Sequence, residues 1–412
     1  MKLNPYRKLL LSLLLLASTA AHAGEASDDA SEKQVTETFW DRLQLHGFGS
    51  QAAVRTSANR WFGDSPSTSF DVTEIGVNAS LRAKPKLLFS AQILYRRAGD
   101  MYESNLALDY GLVDITPFAS PEGRFGMRLG RIKNPLGLYN ETRDVPFTHP
   151  GIFLPQVVYF DRVRNLVLST DGAMLYGDRY SKFGNFSATL GNGWSVLDEN
   201  VEWAYLINDF PGDIKNNGTI WLASLWYTDP SERLKLGLSG ATLSIRFDPQ
   251  ITALPTLNRG HTDIDFWIAS AQYNTENWTL TAEYAREPLQ WRDYGAFSPD
   301  QDATAEGWYL QGTYRLRPDI NLMLRYEEGY GDTADRDGSA LEAATGGLLP
   351  ANARFSKIIS TGVRWDINRH WMVRAEYAYN NGTFILSSRE NPDPGTRERY
   401  WNLFSVQAAF RF

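Results

Sequence analysis

Residues 307–316 read GWYLQGTYRL, and two kinds of side chain alternate along this stretch. Trp308, Leu310 and Tyr314 share one face of an extended chain, whereas Gln311 and Arg315 share the other. A period of two residues indicates a β-strand with one apolar and one mixed face. Aromatic residues stand at both ends of the apolar part. A strand that crosses a lipid bilayer has this arrangement, because amphipathic rings favour the two headgroup levels.

The same pattern recurs in the segments around this one. Aromatic, aliphatic and small residues alternate with polar residues in WTLTAEYA (278–285), NLMLRYEE (321–328), IISTGVRWD (358–366) and WMVRAEYAY (371–379). A secreted β-sandwich is the alternative, and it can also be rich in Trp and Tyr. It buries its apolar faces against a second sheet, however, and gains nothing from aromatic residues at both ends of each face. The pattern therefore favours lipid-facing strands.

The connections between strands alternate in length, which is typical of bacterial membrane barrels. Short turns are expected at 82–86, 228–233, 274–277, 315–319 and 366–370, and long loops at 96–105, 133–171, 191–218, 247–263, 287–305, 329–354 and 380–399. Sixteen strands are predicted, at 43–56, 70–83, 86–96, 105–115, 124–132, 172–180, 184–190, 219–228, 233–246, 264–274, 278–286, 307–316, 320–328, 357–366, 370–379 and 402–412. The stretch 201–209 is assigned to a loop, since a seventeenth strand would break the parity. The sequence thus predicts an all-β, antiparallel transmembrane β-barrel.

The N-terminal 23 residues indicate export. Lys2, Arg7 and Lys8 precede an apolar run that is shorter than a membrane span, and AHA (21–23) fits a signal-peptidase site. Removal of residues 1–23 changes the formal net charge from −7 to −10, because the segment carries three bases and no acid. Residues 24–42 are expected to form a polar periplasmic leader, and residues 43–412 the barrel. The predicted location is the bacterial outer membrane.

The chain ends in WNLFSVQAAFRF (401–412), which continues the alternation to Phe412. The last strand is expected to pair with the first, because unpaired backbone groups find no partner in hydrocarbon. A terminal Phe after alternating apolar residues also resembles the signal by which outer-membrane barrels are recognised for assembly. Phe410 and Phe412 are therefore predicted to form that signal for the barrel-assembly machinery.

A barrel of sixteen strands is wide enough to leave an aqueous channel. The loop 133–171 is the candidate for a constriction folded into that channel, since it contains four prolines and apolar residues that suit a protein interior better than a solvated tip. The alternative is an external loop over the barrel mouth or at a trimer interface. The residues predicted to form the constriction are Lys133, Arg143, His149, Asp161, Arg162 and Arg164.

The polar faces of the strands carry charges of both signs. The residues predicted to face the lumen are Glu74, Arg82, Arg96, Asp109, Arg124, Arg128, Glu283, Arg315, Arg325, Glu327, Arg364, Asp366, Arg374 and Glu376. Opposed rows of charge would favour hydrated polar solutes over apolar ones. The alternative for each arginine is simple pairing with a neighbouring carboxylate.

Enzymatic and metal-binding motifs are missing from the sequence. The chain has no cysteine, and the histidines after residue 23 (His46, His149, His261 and His370) have no ligand spacing. No catalytic residue, metal, cofactor or nucleic-acid partner is expected, and the protein is not expected to be an enzyme.

The stretches GFGSQAAVRT (47–56), LGRIKNPLGLYNETRDVPFTHPGIFLPQ (129–156) and YFDRVRNL (159–166), with the terminal FRF, resemble Gram-negative outer-membrane porins. They are most similar to the porins grouped with the phosphate- and polyphosphate-selective family. The resemblance covers nearly the whole mature chain and implies a 16-strand barrel, commonly a homotrimer, with a loop-lined constriction. That family's phosphate selectivity depends on a ladder of basic residues, whereas the lysines here are few and scattered.

These observations predict a water-filled channel for passive diffusion of small hydrophilic solutes or ions. A substrate-specific uptake barrel for phosphate or another anion, a siderophore or an oligosaccharide is the alternative, and an enzyme or adhesin on a barrel scaffold is a weaker one. The expected surroundings are outer-membrane lipid and lipopolysaccharide.

Overall fold

A computed structural model describes residues 42–206, 209–250 and 255–412. The predicted signal peptide and all but the last residue of the predicted leader lie outside the described residues. The strands are β1 (Leu43–Thr56), β2 (Ser69–Lys84), β3 (Leu87–Ala98), β4 (Tyr102–Ser120), β5 (Gly123–Lys133), β6 (Ser169–Ser181), β7 (Gly184–Ser195), β8 (Gly212–Asn216), β9 (Ile220–Thr228), β10 (Leu234–Pro249), β11 (Gly260–Asn274), β12 (Trp278–Arg292), β13 (Gln301–Arg317), β14 (Ile320–Tyr330), β15 (Phe355–Asp366), β16 (Trp371–Gly382) and β17 (Tyr400–Arg411).

These strands form one closed antiparallel barrel with sixteen wall positions. β8 and β9 both pair with β10, through Ile245↔Asn216 and Thr242↔Trp221, so they are two segments of one interrupted strand. β17 pairs with β1 from Phe48↔Arg411 to Thr56↔Leu403, which closes the sheet. The predicted all-β transmembrane barrel of sixteen strands is therefore confirmed in the described residues, including the pairing of the last strand with the first.

The outer surface of the barrel is apolar, and aromatic residues stand at both ends of it. Leu324 on β14 and Leu225 on β9 are each 61% exposed. Near the short turns, the ring centroids of Trp278 and Tyr314 lie 4.5 Å apart on neighbouring strands. Six residues further along β12, Tyr284 forms the other aromatic boundary, so the apolar band measures about 20 Å along the tilted strand. Side chains of this kind on an outer face suit lipid.

The strands extend further toward the long loops than the sequence predicts. β12 continues to Arg292 and β13 begins at Gln301, so the expected loop 287–305 shrinks to residues 293–300. Backbone pairing continues there through Trp291↔Gln301, but both faces are partly polar above the lipid, and the alternation that marks a strand is lost. Residues 57–68 form a further long loop between β1 and β2, a connection that the predicted strands 43–56 and 70–83 left open but that was not among the predicted long loops.

The helices are short and lie in loops: α1 (Arg164–Leu168), α2 (Glu199–Leu206) and α3 (Ser339–Ala344). α2 covers most of the stretch 201–209, so its assignment to a loop rather than to a strand is confirmed for the described residues. Single turns of 3₁₀ helix in the described loops occupy Asn140–Thr142, Pro146–Thr148, Asp161–Val163, Gly295–Phe297, Ala351–Arg354 and Pro394–Thr396. Within the described part of the chain, no helix is both long and apolar enough to cross a membrane.

A loop inside the barrel and its candidate functional site

The connection from β5 to β6, residues 134–168, is called L3 below. Its two ends are joined where it leaves the wall, because the Asn134 amide donates to the Leu168 carbonyl at 2.9 Å. The Asn140 side chain donates to the carbonyls of Asn134 and Val167, at 3.0 and 2.8 Å. Four prolines in L3 lack the N–H that a further strand would need. L3 therefore leaves the sheet as a single tied loop.

The tip of L3 is bound to two strands of the opposite wall. The Glu376 carboxylate on β16 accepts hydrogen bonds from the amides of Ile152 and Phe153, at 2.5 and 3.4 Å. Arg325 on β14 donates to the Phe153 carbonyl at 3.1 Å and to Glu376 at 3.2 Å, and it also binds Glu327 at 2.7 Å. All three charged side chains are buried. L3 thus lies inside the barrel and contacts its inner face.

A second anchor on the inner wall is Glu283 of β12. Its carboxylate accepts from the Leu138 amide at 2.9 Å and from the Tyr159 hydroxyl at 2.6 Å, both in L3. Tyr309 on β13 and Ser270 on β11 donate to the same carboxylate, at 2.7 and 2.5 Å. Four donors satisfy this buried acid, so it needs no basic partner.

Apolar contacts also bind L3 to the wall. Leu136 and Val157 belong to one buried cluster with Ile268 of β11 and Tyr309 of β13. Gly307 on β13 leaves room for the loop, since a Cβ atom at that position would lie 2.1 Å from the Val157 carbonyl oxygen. L3 therefore packs against the inner wall as a protein core does, and it narrows the lumen.

The predicted constriction residues are largely buried between L3 and the wall. Lys133 binds Asp109 at 2.6 Å and also binds Asp144, which is paired with Arg164. Asp161 pairs with Arg96 of β3 at 2.8 Å, and with Arg143 at 3.4 Å. Each of these charges has a partner of the opposite sign, which is the condition for keeping charges away from water.

The contact between His149 and Arg374 differs from the ion pairs described above. The Arg374 guanidinium on β16 donates to the carbonyls of His149 (2.9 Å) and Gly151 and to the Gln407 side chain. It is 2% exposed, and no carboxylate among the described residues forms an ion pair with it. Burial, together with the nearby Arg374, lowers the pKa of His149 to about 3, so the imidazole is neutral.

Arg162 lies at the long-loop side of L3. It donates to the Phe384 carbonyl at 2.7 Å. Its guanidinium carbon lies 4.8 Å from the centroid of the Phe160 ring and 4.7 Å from that of the Phe384 ring. Within the residues that the structure describes, no carboxylate forms an ion pair with it. Of the six predicted constriction residues, Arg162 is therefore the one that borders an open cavity without a charge partner.

The residues predicted to face the lumen all lie on the inner face of the barrel, in two groups. Those in contact with L3 or with its binding partners are Glu74, Arg96, Asp109, Glu283, Arg325, Glu327, Arg364, Arg374 and Glu376. Those nearer the short turns are Arg82, Arg124, Arg128, Arg315 and Asp366; of these, Arg128 also lies 4.0 Å from Glu141 of L3, and Asp366 binds Arg364 at 2.8 Å. Arg124 pairs with Asp178, and Arg128 with Asp114 at 3.2 Å. That ions pass along these side chains stays a prediction.

A contact between two long loops was not predicted from the sequence. Glu390, in the loop after β16, accepts hydrogen bonds from the amides of Phe62 and Gly63 at 3.0 and 2.7 Å. Phe62 in turn stacks on Phe153 of L3, with ring centroids 5.4 Å apart. The adjacent apolar residues Trp61 and Phe62 in an otherwise polar stretch were the signal that could have revealed this contact.

Comparison with solved structures identifies proteins of the same fold. An anion-selective porin from Comamonas acidovorans is 14% identical, with 90% of this chain and 99% of that chain covered and a TM-score of 0.56. The trimer form of OmpT, an outer-membrane protein of Vibrio cholerae, is 11% identical over 90% and 99% of the two chains, with a TM-score of 0.55. The outer-membrane channel DcaP of Acinetobacter baumannii is 12% identical over 90% and 97%, with a TM-score of 0.53.

At these identities the likeness shows the fold alone. No protein-family model matches the chain, and comparison with curated protein sequences gives no match. The closed 16-strand barrel of this chain has an apolar outer surface, and both features agree with the predicted location in the bacterial outer membrane.

Proposed function

We propose that the protein is an outer-membrane channel for passive diffusion of small hydrophilic solutes or ions, and that L3 forms its constriction. The observation that carries the proposal is the position of L3, which is bound inside a closed 16-strand barrel by Glu283 of β12, Arg325 of β14 and Glu376 of β16. A barrel of this size encloses an aqueous lumen unless protein fills it. A loop that narrows the lumen sets the size of the solutes that pass.

Weak ion selectivity follows from the charge pairs in and around L3. Lys133, Arg143 and Arg164 each bind a carboxylate, so their fields are largely cancelled at the level of the loop. Partly exposed charges on the inner face toward the short turns, such as Arg128 with Asp114, include both signs as well. We therefore expect a channel that passes anions and cations with a small preference.

A substrate-specific channel for an anion is the second candidate. It is favoured by the buried Arg374 guanidinium, whose contacts in the described residues are to neutral oxygen atoms and to His149. The anion-selective Comamonas porin of the same fold is compatible with this reading. Phosphate in particular gains no support, because Lys133, the lysine closest to L3, is buried in ion pairs rather than free to bind a ligand.

We also propose that the barrel assembles as a homotrimer and has no enzymatic activity. Support for the trimer is the trimer form of the OmpT structure, which has the same fold. The proposed lack of activity depends on the missing catalytic motifs of the sequence. Chemical cross-linking of native membranes, or native mass spectrometry in detergent, would test the trimer.

Single-channel recording in planar bilayers tests the channel. We expect discrete conductance steps that are small for a 16-strand barrel, and a reversal potential close to zero in a salt gradient. Arg315 is an exposed base on the inner face of β13, so Arg315→Glu should shift the reversal potential toward cation selectivity. Arg233→Glu, in the turn between β9 and β10, serves as the matched control. A protein that inserts but never conducts, or that is soluble without detergent, would overturn the proposal.

A further inference from the structure

A cavity of about 980 Å³ opens on the long-loop side of L3, and it is called the vestibule below. Phe160 and Arg162 of L3 line it, together with helix α2 and the loops of residues 293–300, 331–354 and 383–399. Its volume lies at the upper end of the range that small-molecule sites occupy.

Charged side chains of both signs line the vestibule. Asp302 binds Arg292 at 2.5 Å, Glu287 accepts from the Tyr205 hydroxyl at 2.8 Å, and Asp332 accepts from the Ala334 amide at 3.0 Å. Arg354 lies 3.8 Å from Asp335. Arg162 and Arg397, in contrast, bind neutral oxygens, namely the Phe384 carbonyl and the Asn391 carbonyl. Neither guanidinium has an ion-pair partner in the described part of the chain. Both therefore offer charged donors to a ligand.

Aromatic side chains accompany these guanidinium groups. Phe160 and Phe384 hold Arg162 between their rings, which fixes its position through cation–π contacts. Trp203 and Trp291 form part of the wall, and the indole N–H of Trp291 donates to the Tyr205 carbonyl at 3.1 Å, so this ring is fixed as well. Flat apolar walls beside unpaired guanidinium groups match a ligand with a ring at one end and a carboxylate at the other.

We propose that the vestibule binds small organic anions that carry an aromatic or similar apolar ring and a carboxylate. Arg162 and Arg397 would bind the carboxylate, while Trp203, Trp291 and Leu289 would contact the ring. This inference rests on the proposed channel, for which it names a substrate class. Inorganic anions lack the ring and neutral sugars lack the charge, so both would bind more weakly.

Binding of sodium benzoate to the full mature chain in detergent micelles tests the inference, with empty micelles measured as the background. Benzoate should bind more tightly than acetate, which lacks the ring, and more tightly than benzyl alcohol, which lacks the charge. Arg162→Gln should weaken benzoate binding about tenfold, which corresponds to one lost charge-assisted hydrogen bond. Arg259→Gln is the control, because Arg259 lies at the same end of the barrel, is 70% exposed in its side chain and pairs with Asp248 away from the vestibule.

The inference is overturned if benzoate does not bind, if acetate or benzyl alcohol binds equally well, or if both Arg162→Gln and Arg397→Gln bind as the parent does. Arg397→Gln replaces Arg162→Gln if the latter does not fold, as judged by its heat-dependent mobility in gels. Binding in micelles does not require conduction. A conducting protein that ignores benzoate refutes the substrate class alone, whereas a benzoate-binding protein that never conducts refutes the channel.

Discussion

The Glu376 carboxylate accepts a hydrogen bond from the Ile152 amide at 2.5 Å, and this bond joins the wall strand β16 to the tip of L3 across 224 residues of sequence. The same carboxylate binds Arg325 of β14, so one side chain links the loop to two strands. Because all three groups are buried, water cannot replace the bonds that a mutation removes. The position of the loop is therefore sensitive to this single acid.

Replacing Glu376 by alanine should release the tip of L3. The change leaves the Ile152 amide without an acceptor and removes one of the two carboxylates that bind Arg325, and breaking a buried pair costs about 3–5 kcal/mol. We expect faster hydrogen exchange in residues 150–156 and a larger, noisier single-channel conductance. Glu328→Ala is the control, because Glu328 faces outward on β14 and binds Tyr326, Tyr330 and Lys357 rather than L3. Equal exchange in the two variants would contradict the prediction.

A methyl group at Gly307 should displace L3 from β13. The added Cβ atom would meet the Val157 carbonyl oxygen at 2.1 Å, too close for any contact, so the loop has to move. We expect Gly307→Ala to fold as a barrel but with an altered conductance and reduced protection of the Val157 amide. On the same strand, a Cβ atom at Gly312 would meet only Leu280, at 3.7 Å, so Gly312→Ala should behave as the parent does. Indistinguishable channels from both variants would show that L3 is not seated on β13.

The wall of the barrel could be predicted from the sequence, whereas the contacts of L3 could not. Along β13, Trp308, Leu310 and Tyr314 face lipid at every second position, and such a pattern is local, so it can be read without a structure. The bond from Ile152 to Glu376 depends instead on where a loop and a distant strand meet. The sequence shows that Arg143 and Asp161 are charged, but not that they pair with one another beside Arg96.

The acid response of L3 should depend on His149. Its pKa is about 6.5 in an unfolded chain and falls to about 3 in the folded protein, because burial and Arg374 disfavour the imidazolium ion. Between about pH 3 and pH 6.5 the unfolded chain binds more protons at His149 than the folded protein does. The contribution of neutral His149 to the stability of the folded state is therefore complete above about pH 6.5 and is lost as the pH falls toward 3. We expect the hydrogen-exchange protection of the L3 tip to decrease over this range.

His149→Gln should weaken that pH dependence. The side-chain amide of the introduced glutamine can still donate to the Gly151 carbonyl, as the imidazole does, but it does not titrate. His261→Gln is the control, because His261 lies on β11 beside Asp263 and Asp293, away from L3. If the parent and His149→Gln lose protection along the same pH curve, another group controls the acid response.

Closure of the barrel should depend on Phe412. Its amide donates to the Gly47 carbonyl at 3.0 Å, and the Gly47 amide donates to the Phe412 carbonyl at 3.2 Å, so Phe412 extends the ladder between β17 and β1. The Phe412 ring lies over Gly47, where a Cβ atom would come within 2.6 Å of it. Deletion of Phe412 removes the two backbone bonds to Gly47, and Gly47→Leu displaces the ring while keeping the chain length. We expect both variants to fold more slowly into lipid vesicles, as followed by the gel-mobility shift of the folded barrel.

Phe404→Ala is the control, because Phe404 lies on the outer face of the same strand, away from Phe412. It should fold at a rate closer to that of the parent. A larger delay in Phe404→Ala than in either seam variant would rule out a special role for Phe412.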